Sequence, residues 1–210
     1  MIELAELRER VQNLRESLDT ELKAWIEPAT PAGIAKIARG CIALRNNNGG
    51  TLFIGFDDKT GKPVVDGKPA IVAIAFHADV IQGIVSKYAS EPFAVDVICD
   101  EWEIEGQPFE YVAVQVPSGV QTPVAAKSEL ASGTPKPLVA QHIIYIRSIH
   151  SGKVSSAPIR HNEWRDFMRK LRGNHEADIG DFLRRHLTSD AKSVLLDFLA
   201  EEKPKPTALD

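Results

Sequence analysis

Residues 46–56, "NNNGGTLFIGF", constrain the fold more than any other stretch, because a helix end leads there into an unbroken apolar run. The short run at 51–56 predicts a strand that is buried on both faces. Upstream, apolar residues recur at helical spacing from 31 to 46, and Thr30 followed by Pro31 is typical of a helix start. The glycines after residue 48 suit a left-handed helix end. A helix that leads into a buried strand is therefore predicted.

The rest of the chain alternates between helical and extended patterns. Helices are predicted at 3–16, 77–91 and 157–172, and strands at 16–26, 93–104, 109–117 and 142–149. A break is expected at 173–180, followed by a helical pair at 181–187 and 189–202. The strands at 93–104 and 109–117 flank a short turn and predict an antiparallel hairpin. We expect one domain at 1–172, with a linker and helical C-terminal extension at 173–210.

Composition excludes several classes of protein. No run approaches the roughly 20 apolar residues of a membrane span, and the charged N-terminus is unlike a secretory signal. Cys41 and Cys99 lie in apolar surroundings, so we expect two buried thiols in a reducing, cytoplasmic compartment. No histidine or cysteine has zinc-ligand spacing, and no zinc is expected. The net charge of −4 argues against coating nucleic acid by bulk charge, but it allows a local basic groove.

An acidic motif precedes the first predicted helix–strand pair. In "ESLDTELKAWI", residues 16–26, an extended chain places Glu21 and Lys23 on one face with Asp19, and the apolar residues on the other. An acid-x-Lys pair on a strand occurs in metal-dependent nucleases, where the carboxylate holds a divalent metal and the lysine stabilises charge. Taken alone, the pair is more typical of a solvated strand face.

A second acidic motif leaves the buried strand at Asp57 and Asp58. These carboxylates could complete a metal site begun by Glu16 and Glu21, since a hard cation needs several oxygen ligands. The alternative to a metal site is a polar turn, because "DDKTG" has ordinary turn composition.

A basic region lies near the end of the predicted domain. Arg147 and Lys153 flank a Ser/Gly loop beside the segment 160–172, whose cations include Arg160, Arg165 and Arg169. This surface suits phosphate contacts, although Arg147 could equally pair with an acidic residue. A phosphate-binding nucleotide loop is rejected, because the glycines follow a helix and precede a strand, which is the reverse order.

These motifs, in this order, resemble the Schlafen AlbA-2 domain, a family once described as a divergent ATP-binding or DNA-binding domain. The resemblance spans roughly residues 14–171 and rests on "ESLDTELK", "NNNGGTLFIGFDD" and "YIRSIHSGKVSSAP". It implies an α+β fold with a mixed or antiparallel sheet flanked by helices. It also implies that Glu16, Glu21 and either Asp57 or Asp58 hold Mg²⁺ or Mn²⁺, with Lys23 assisting. Tyr145 and Arg147 match the Tyr-x-Arg strand of the family.

The resemblance implies a metal-dependent endoribonuclease that acts on structured, tRNA-like RNA, in a setting such as antiviral defence. Arg147, Lys153, Arg160, Arg165 and Arg169 are then the expected nucleic-acid contacts, with RNA favoured over DNA. A non-catalytic DNA- or RNA-binding regulatory module is the alternative, and ATP binding is a weaker one. Animal members of the family pair two lobes, whereas only one copy of the core is present here, so the resemblance implies a homodimer that builds an equivalent groove.

Overall fold

The computed structural model describes residues 3–104, 106–150 and 152–186, which contain five helices and six strands. The helices are α1 (Leu4–Val11), α2 (Pro31–Asn46), α3 (Val72–Ala75), α4 (Ala78–Tyr88) and α5 (Trp164–His186). The strands are β1 (Thr20–Lys23), β2 (Gly50–Ile54), β3 (Asp96–Ile104), β4 (Gln107–Val116), β5 (Tyr145–His150) and β6 (Lys153–Pro158). The predicted α+β class, with a mixed sheet and a C-terminal helix, is confirmed. None of the described helices is long and apolar enough to cross a membrane.

The main sheet has the strand order β1-β2-β4-β3. Strand β1 runs parallel to β2, and the other two pairings are antiparallel. The apolar residues Leu52, Phe53 and Ile54 are fully buried, which confirms the strand predicted there. Since parallel neighbours require a crossover connection, the intervening helix α2 is what allows β1 and β2 to pair.

Helix α2 begins and ends as its sequence predicts. The Thr30 side chain accepts a hydrogen bond from the Gly33 amide (3.1 Å), and Pro31 occupies the first turn. After the helix, Asn48 and Gly49 adopt positive φ angles of 75° and 89°. Gly50 is also required, because a Cβ there would lie 2.2 Å from the carbonyl oxygen of Asp19. The turn therefore brings the start of β2 directly against the chain that enters β1.

Strands β5 and β6 form a separate antiparallel hairpin, and α2 contacts this hairpin as well as the main sheet. The prediction of a loop followed by a helix from residue 157 is wrong here, because Lys153–Pro158 is a strand. Alternation in "KVSSAP" is weak, so the hairpin depends on pairing with β5 rather than on local preference.

The predicted break at 173–180 is also wrong, because α5 continues through it from Trp164 to His186. Two glycines cost the helix about 1 kcal/mol each relative to alanine. The Asn174 amide offsets part of this cost by donating to Val120 O (2.6 Å) and Asn48 Oδ1 (3.0 Å). The boundary at residue 172 stays a prediction, and the helix predicted at 189–202 lies outside the described residues.

Three smaller expectations also need correction. Helix α1 ends at Val11 rather than at residue 16, and the strand predicted at 16–26 is confined to Thr20–Lys23. Residues 14–19 between them have no regular structure. Of the two thiols expected to be buried, Cys41 is buried but Cys99 is exposed, because it lies on the edge strand β3.

Asn46 links α2 to two other segments. Its amide nitrogen donates to Val124 O (2.7 Å) and Tyr145 O (2.8 Å), and its oxygen accepts from Val124 N (2.9 Å). We expect Asn46→Ala to lower the free energy of unfolding by roughly 3 kcal/mol, because three buried backbone groups lose their partner. Urea unfolding measures the loss. The exposed Asn162→Ala is the control, and an equal loss in both variants would contradict this role.

Candidate functional site

Two glutamates and a lysine meet at the start of the main sheet. The Lys23 Nζ atom lies 2.9 Å from Glu21 Oε1 and 3.9 Å from Glu16 Oε1. Glu21 and Lys23 share one face of β1, as the sequence predicts, whereas Glu16 comes from the irregular segment before the strand. A single ammonium group therefore lies between the two carboxylates.

Arg147 on β5 contacts both glutamates and the backbone between them. Its side chain is completely buried, and it donates to the carbonyl oxygens of Ser17 (2.8 Å) and Thr20 (2.8 Å). Its guanidinium nitrogens also lie 3.3 Å from Glu21 Oε2 and 3.7 Å from Glu16 Oε1. Arg147 was predicted as a phosphate contact, but in this geometry its donors are directed at the protein. It positions both glutamates by fixing the backbone between them.

Glu21 is almost fully buried, at 2% exposure. Besides its two cationic neighbours, it accepts a hydrogen bond from Ser156 Oγ on β6 (2.6 Å). Gly40 of α2 lies against the same oxygen, because a Cβ atom there would be 3.0 Å from Glu21 Oε2. The mid-helix glycine thus leaves room for the carboxylate under the helix.

Glu16 is less buried and lies at the mouth of the site. The Leu22 amide donates to its Oε1 atom at 3.1 Å. Burial raises the pKa of Glu16, and this effect outweighs the lowering by the Leu22 amide, Arg147 and Lys23. The fold therefore holds this carboxylate at a cost at neutral pH.

The structure separates the two aspartates that follow β2. The Asp57 carboxylate accepts hydrogen bonds from the Thr60 amide and hydroxyl (both 2.8 Å) and from the Lys59 amide (3.2 Å). These bonds lower the pKa of Asp57. Asp57 thus stabilises its own turn, whereas Asp58 lines the same cavity as the two glutamates. Between the two candidates for a third carboxylate, the geometry favours Asp58.

The cavity over these groups, the site cavity, has a volume of about 190 Å³. It is lined by Glu16, Glu21, Lys23, Lys36, Arg39, Asp58 and the β6 residues Val154, Ser155 and Ser156. The cations Lys36 and Arg39 come from α2, which also contacts β6. Arg39 is oriented by a bond to Ser156 O (3.2 Å) and by the Tyr145 ring, 5.2 Å away.

Lys36, Arg39 and Ser156 were not predicted as site residues. The isolated glycine at position 40, within an otherwise helical pattern, is the one sequence signal that marks this face of α2. Ser156 joins the site only because β6 pairs with β5, and no local signal marks that pairing.

The other predicted basic residues divide between two surfaces. Lys153 lies on β6 and lines a neighbouring cavity together with Glu16 and Asp58. Arg160, Arg165 and Arg169 are exposed at the start of α5 and before it, and Arg169 pairs with Asp166 (3.3 Å). Among the lining residues that the structure describes, none of these three arginines borders either cavity.

A hard divalent metal ion needs several oxygen ligands. Among the described residues, no three or more His, Cys, Asp or Glu side chains are grouped so as to hold a metal ion. Mg²⁺, however, is commonly bound by one or two carboxylates, with phosphate oxygens and water completing the shell. Glu16 and Glu21 fit this second arrangement, since both already face one cation, the Lys23 ammonium.

Known proteins with a similar sequence pattern identify the family of this chain. The family model "Schlafen, AlbA_2" matches residues 16–153, which include both acidic motifs and the β5 strand. The chain belongs to the Schlafen AlbA_2 family, and membership points to a nucleic-acid-related function. No curated protein matches the chain.

Two solved structures resemble the fold. One is the crystal structure of the DIP2311 protein from Corynebacterium diphtheriae, with 18% identity, a TM-score of 0.50 and 80% of this chain covered. The match spans only 28% of that longer chain. The other is the solution structure of the N-terminal domain of a RecG-related ATP-dependent DNA helicase protein from Nitrosomonas europaea. It has 18% identity and a TM-score of 0.38, with 77% of this chain and 97% of that chain covered.

Gly40 offers a test of how tightly the site is packed. Gly→Ala in a helix interior normally stabilises by about 1 kcal/mol. We expect Gly40→Ala to lose this gain and lower the free energy of unfolding, because its methyl group meets a carboxylate held by three donors. Gly83→Ala in α4 is the matched control, since a Cβ there meets nothing within 4 Å. Urea denaturation that shows equal stabilisation in both variants would contradict the close packing.

Glu16 should affect stability in a pH-dependent way. The pKa of Glu16 is raised in the folded state, so its protonated carboxyl stabilises the fold at pH values below the ordinary glutamate pKa. This stabilisation is lost as the pH rises through the pKa of the folded state. We expect Glu16→Gln to be at least as stable as wild type at pH 8, and this advantage to shrink as the pH falls towards 4.5. The Tm measured across this range tests the sign. If the Tm of Glu16→Gln relative to wild type were clearly lower at pH 8 than at pH 5, the linkage would have the opposite sign. The exposed Glu9→Gln is the control.

Proposed function

We propose that this chain binds nucleic acid over the site cavity and cleaves RNA there as a metal-dependent endoribonuclease. The observation that carries the proposal is the convergence of Glu16 and Glu21 on one cation position, with Asp58 and two α2 cations lining the same cavity. Family membership supports nucleic acid as the ligand class. RNA, rather than DNA, is the substrate we favour.

Glu16 and Glu21 would hold Mg²⁺ or Mn²⁺ at the position now held by the Lys23 ammonium. Such an ion, when bound, offsets charge that develops on the phosphate and makes water more acidic. Lys23 has a flexible side chain and can turn its ammonium from the carboxylates to a phosphate oxygen. Arg147 remains beneath both glutamates and keeps them from separating. Lys36 and Arg39 hold the phosphate backbone against the cavity.

A non-catalytic nucleic-acid-binding module is the second candidate. It is favoured by a specific observation: Lys23 and Arg147 already neutralise both glutamates, and Ser156 binds an oxygen of Glu21. In that case the acidic pair orders the hairpin against β1, and the cations alone bind nucleic acid. ATP binding has the least support, since the glycines at residues 49 and 50 follow a helix C-terminus.

Cleavage of tRNA and of a stem-loop RNA with Mg²⁺ or Mn²⁺ tests the enzyme. We expect Glu16→Gln and Glu21→Gln to lower the cleavage rate by about 100-fold or more, because each variant loses a carboxylate ligand of the ion that would offset the developing charge, and loss of such electrostatic stabilisation typically costs this much. Asp58→Asn should also reduce the rate, and Asp57→Asn should affect it less at equal folded fraction. The exposed Lys136→Ala is the control.

Two results would refute the proposed endoribonuclease activity. One is cleavage that continues at the wild-type rate in both glutamate variants, since the site would then lie elsewhere. The other is binding of RNA without any metal-dependent cleavage, unchanged by EDTA, which would support the non-catalytic module. Circular dichroism of each variant confirms folding, and Glu16→Gln is the cleaner variant because it removes a charge that burial disfavours.

We also propose, from the resemblance to paired-lobe family members, that two copies associate to form a longer groove. Sedimentation of the active protein tests this. A strict monomer with full activity would refute it.

A further inference from the structure

A second cavity continues from the site. It has a volume of about 650 Å³ and shares Glu16, Asp58 and Val154 with the site cavity. The two cavities therefore form one groove, with the acidic residues near its middle rather than at an end. We call this the extended groove.

Cations lie at both ends of the extended groove. Lys36 and Arg39 line it on the α2 side, and Arg15, Lys59 and Lys153 line it on the far side. With Lys23, these make six cations against three lining carboxylates. The groove therefore carries a local excess of three positive charges in a chain whose net charge is −4.

Most of these cations are not neutralised by the protein. Among the described residues, Lys23 alone of these six cations forms a salt bridge, whereas other lysines and arginines of the chain are paired, as in Lys68–Glu110 and Arg169–Asp166. Exposed cations without a carboxylate partner attract polyanions, and they release counterions when phosphates bind.

We propose that the extended groove holds the phosphate backbone on both sides of the acidic centre, through two separate cationic subsites. One subsite consists of Lys36 and Arg39, and the other consists of Arg15, Lys59 and Lys153. The inference rests on the proposed function for the choice of nucleic acid as ligand. It adds that the substrate extends past the acidic centre in both directions, which suits internal cleavage and disfavours removal of single terminal nucleotides.

Binding of a fluorescent single-stranded RNA to the full chain in EDTA, at several KCl concentrations, tests the two subsites without cleavage. We expect Lys36→Gln and Lys153→Gln each to weaken binding several-fold and to reduce the slope of log K against log salt by about 0.7. The double variant should combine both losses. A short oligonucleotide that reaches one subsite should respond to only one of the two substitutions. Lys136→Gln, exposed and outside both cavities, is the control.

Wild-type affinity and salt slope in either single variant would overturn the two-subsite groove, because each end is required. The outcome is distinct from that of the cleavage test. If both subsites bind RNA but no cleavage occurs, the proposed nuclease activity is refuted and the two-subsite groove is supported. If Lys36→Gln and Lys153→Gln bind and cleave RNA normally, the groove is refuted and the nuclease activity is unaffected.

Discussion

The buried guanidinium of Arg147 is the interaction on which the rest of the site depends. A buried charge is costly unless it is paired and hydrogen-bonded, and Arg147 meets this condition with two backbone carbonyls and two carboxylates. Because Arg147 lies on the β5–β6 hairpin, these bonds join that hairpin to the segment leading into β1. Loss of the guanidinium would leave Glu21 buried beside fewer donors and would release the chain that carries Glu16.

This arrangement explains why the acidic pair can exist inside a sheet-and-helix core. The Glu21 carboxylate fits against α2 because Gly40 has no side chain and Ser156 donates a hydrogen bond to it. Glu16 is held against a desolvation cost that raises its pKa. Groups held at a cost are common at functional sites, where stability is exchanged for a reactive arrangement. The cost is therefore consistent with a role in function, beyond packing.

The family of this chain is established more firmly than its chemistry. Folds of this kind position sites, but activity depends on the particular groups in the site. Here the two glutamates with Lys23 favour chemistry on a phosphate, while their neutralisation by two cations favours binding alone. The positive groove within an acidic chain supports nucleic acid as the ligand under both readings, since local potential rather than net charge attracts a polyanion.

The sequence by itself determined the elements with strong local signals and the residues of the acidic motif. The Thr30–Pro31 helix start, the apolar strand after Gly50 and the shared face of Glu21 and Lys23 all follow from local propensity and strand alternation. Tertiary structure decided the rest. It fixed the β6 strand, the unbroken α5 helix, the position of Asp58 rather than Asp57 beside the site cavity, and the burial of Arg147. The reason is physical: strand pairing, burial and the direction of a charged side chain depend on partners far away in the chain, such as the 127 residues that separate Arg147 from Thr20.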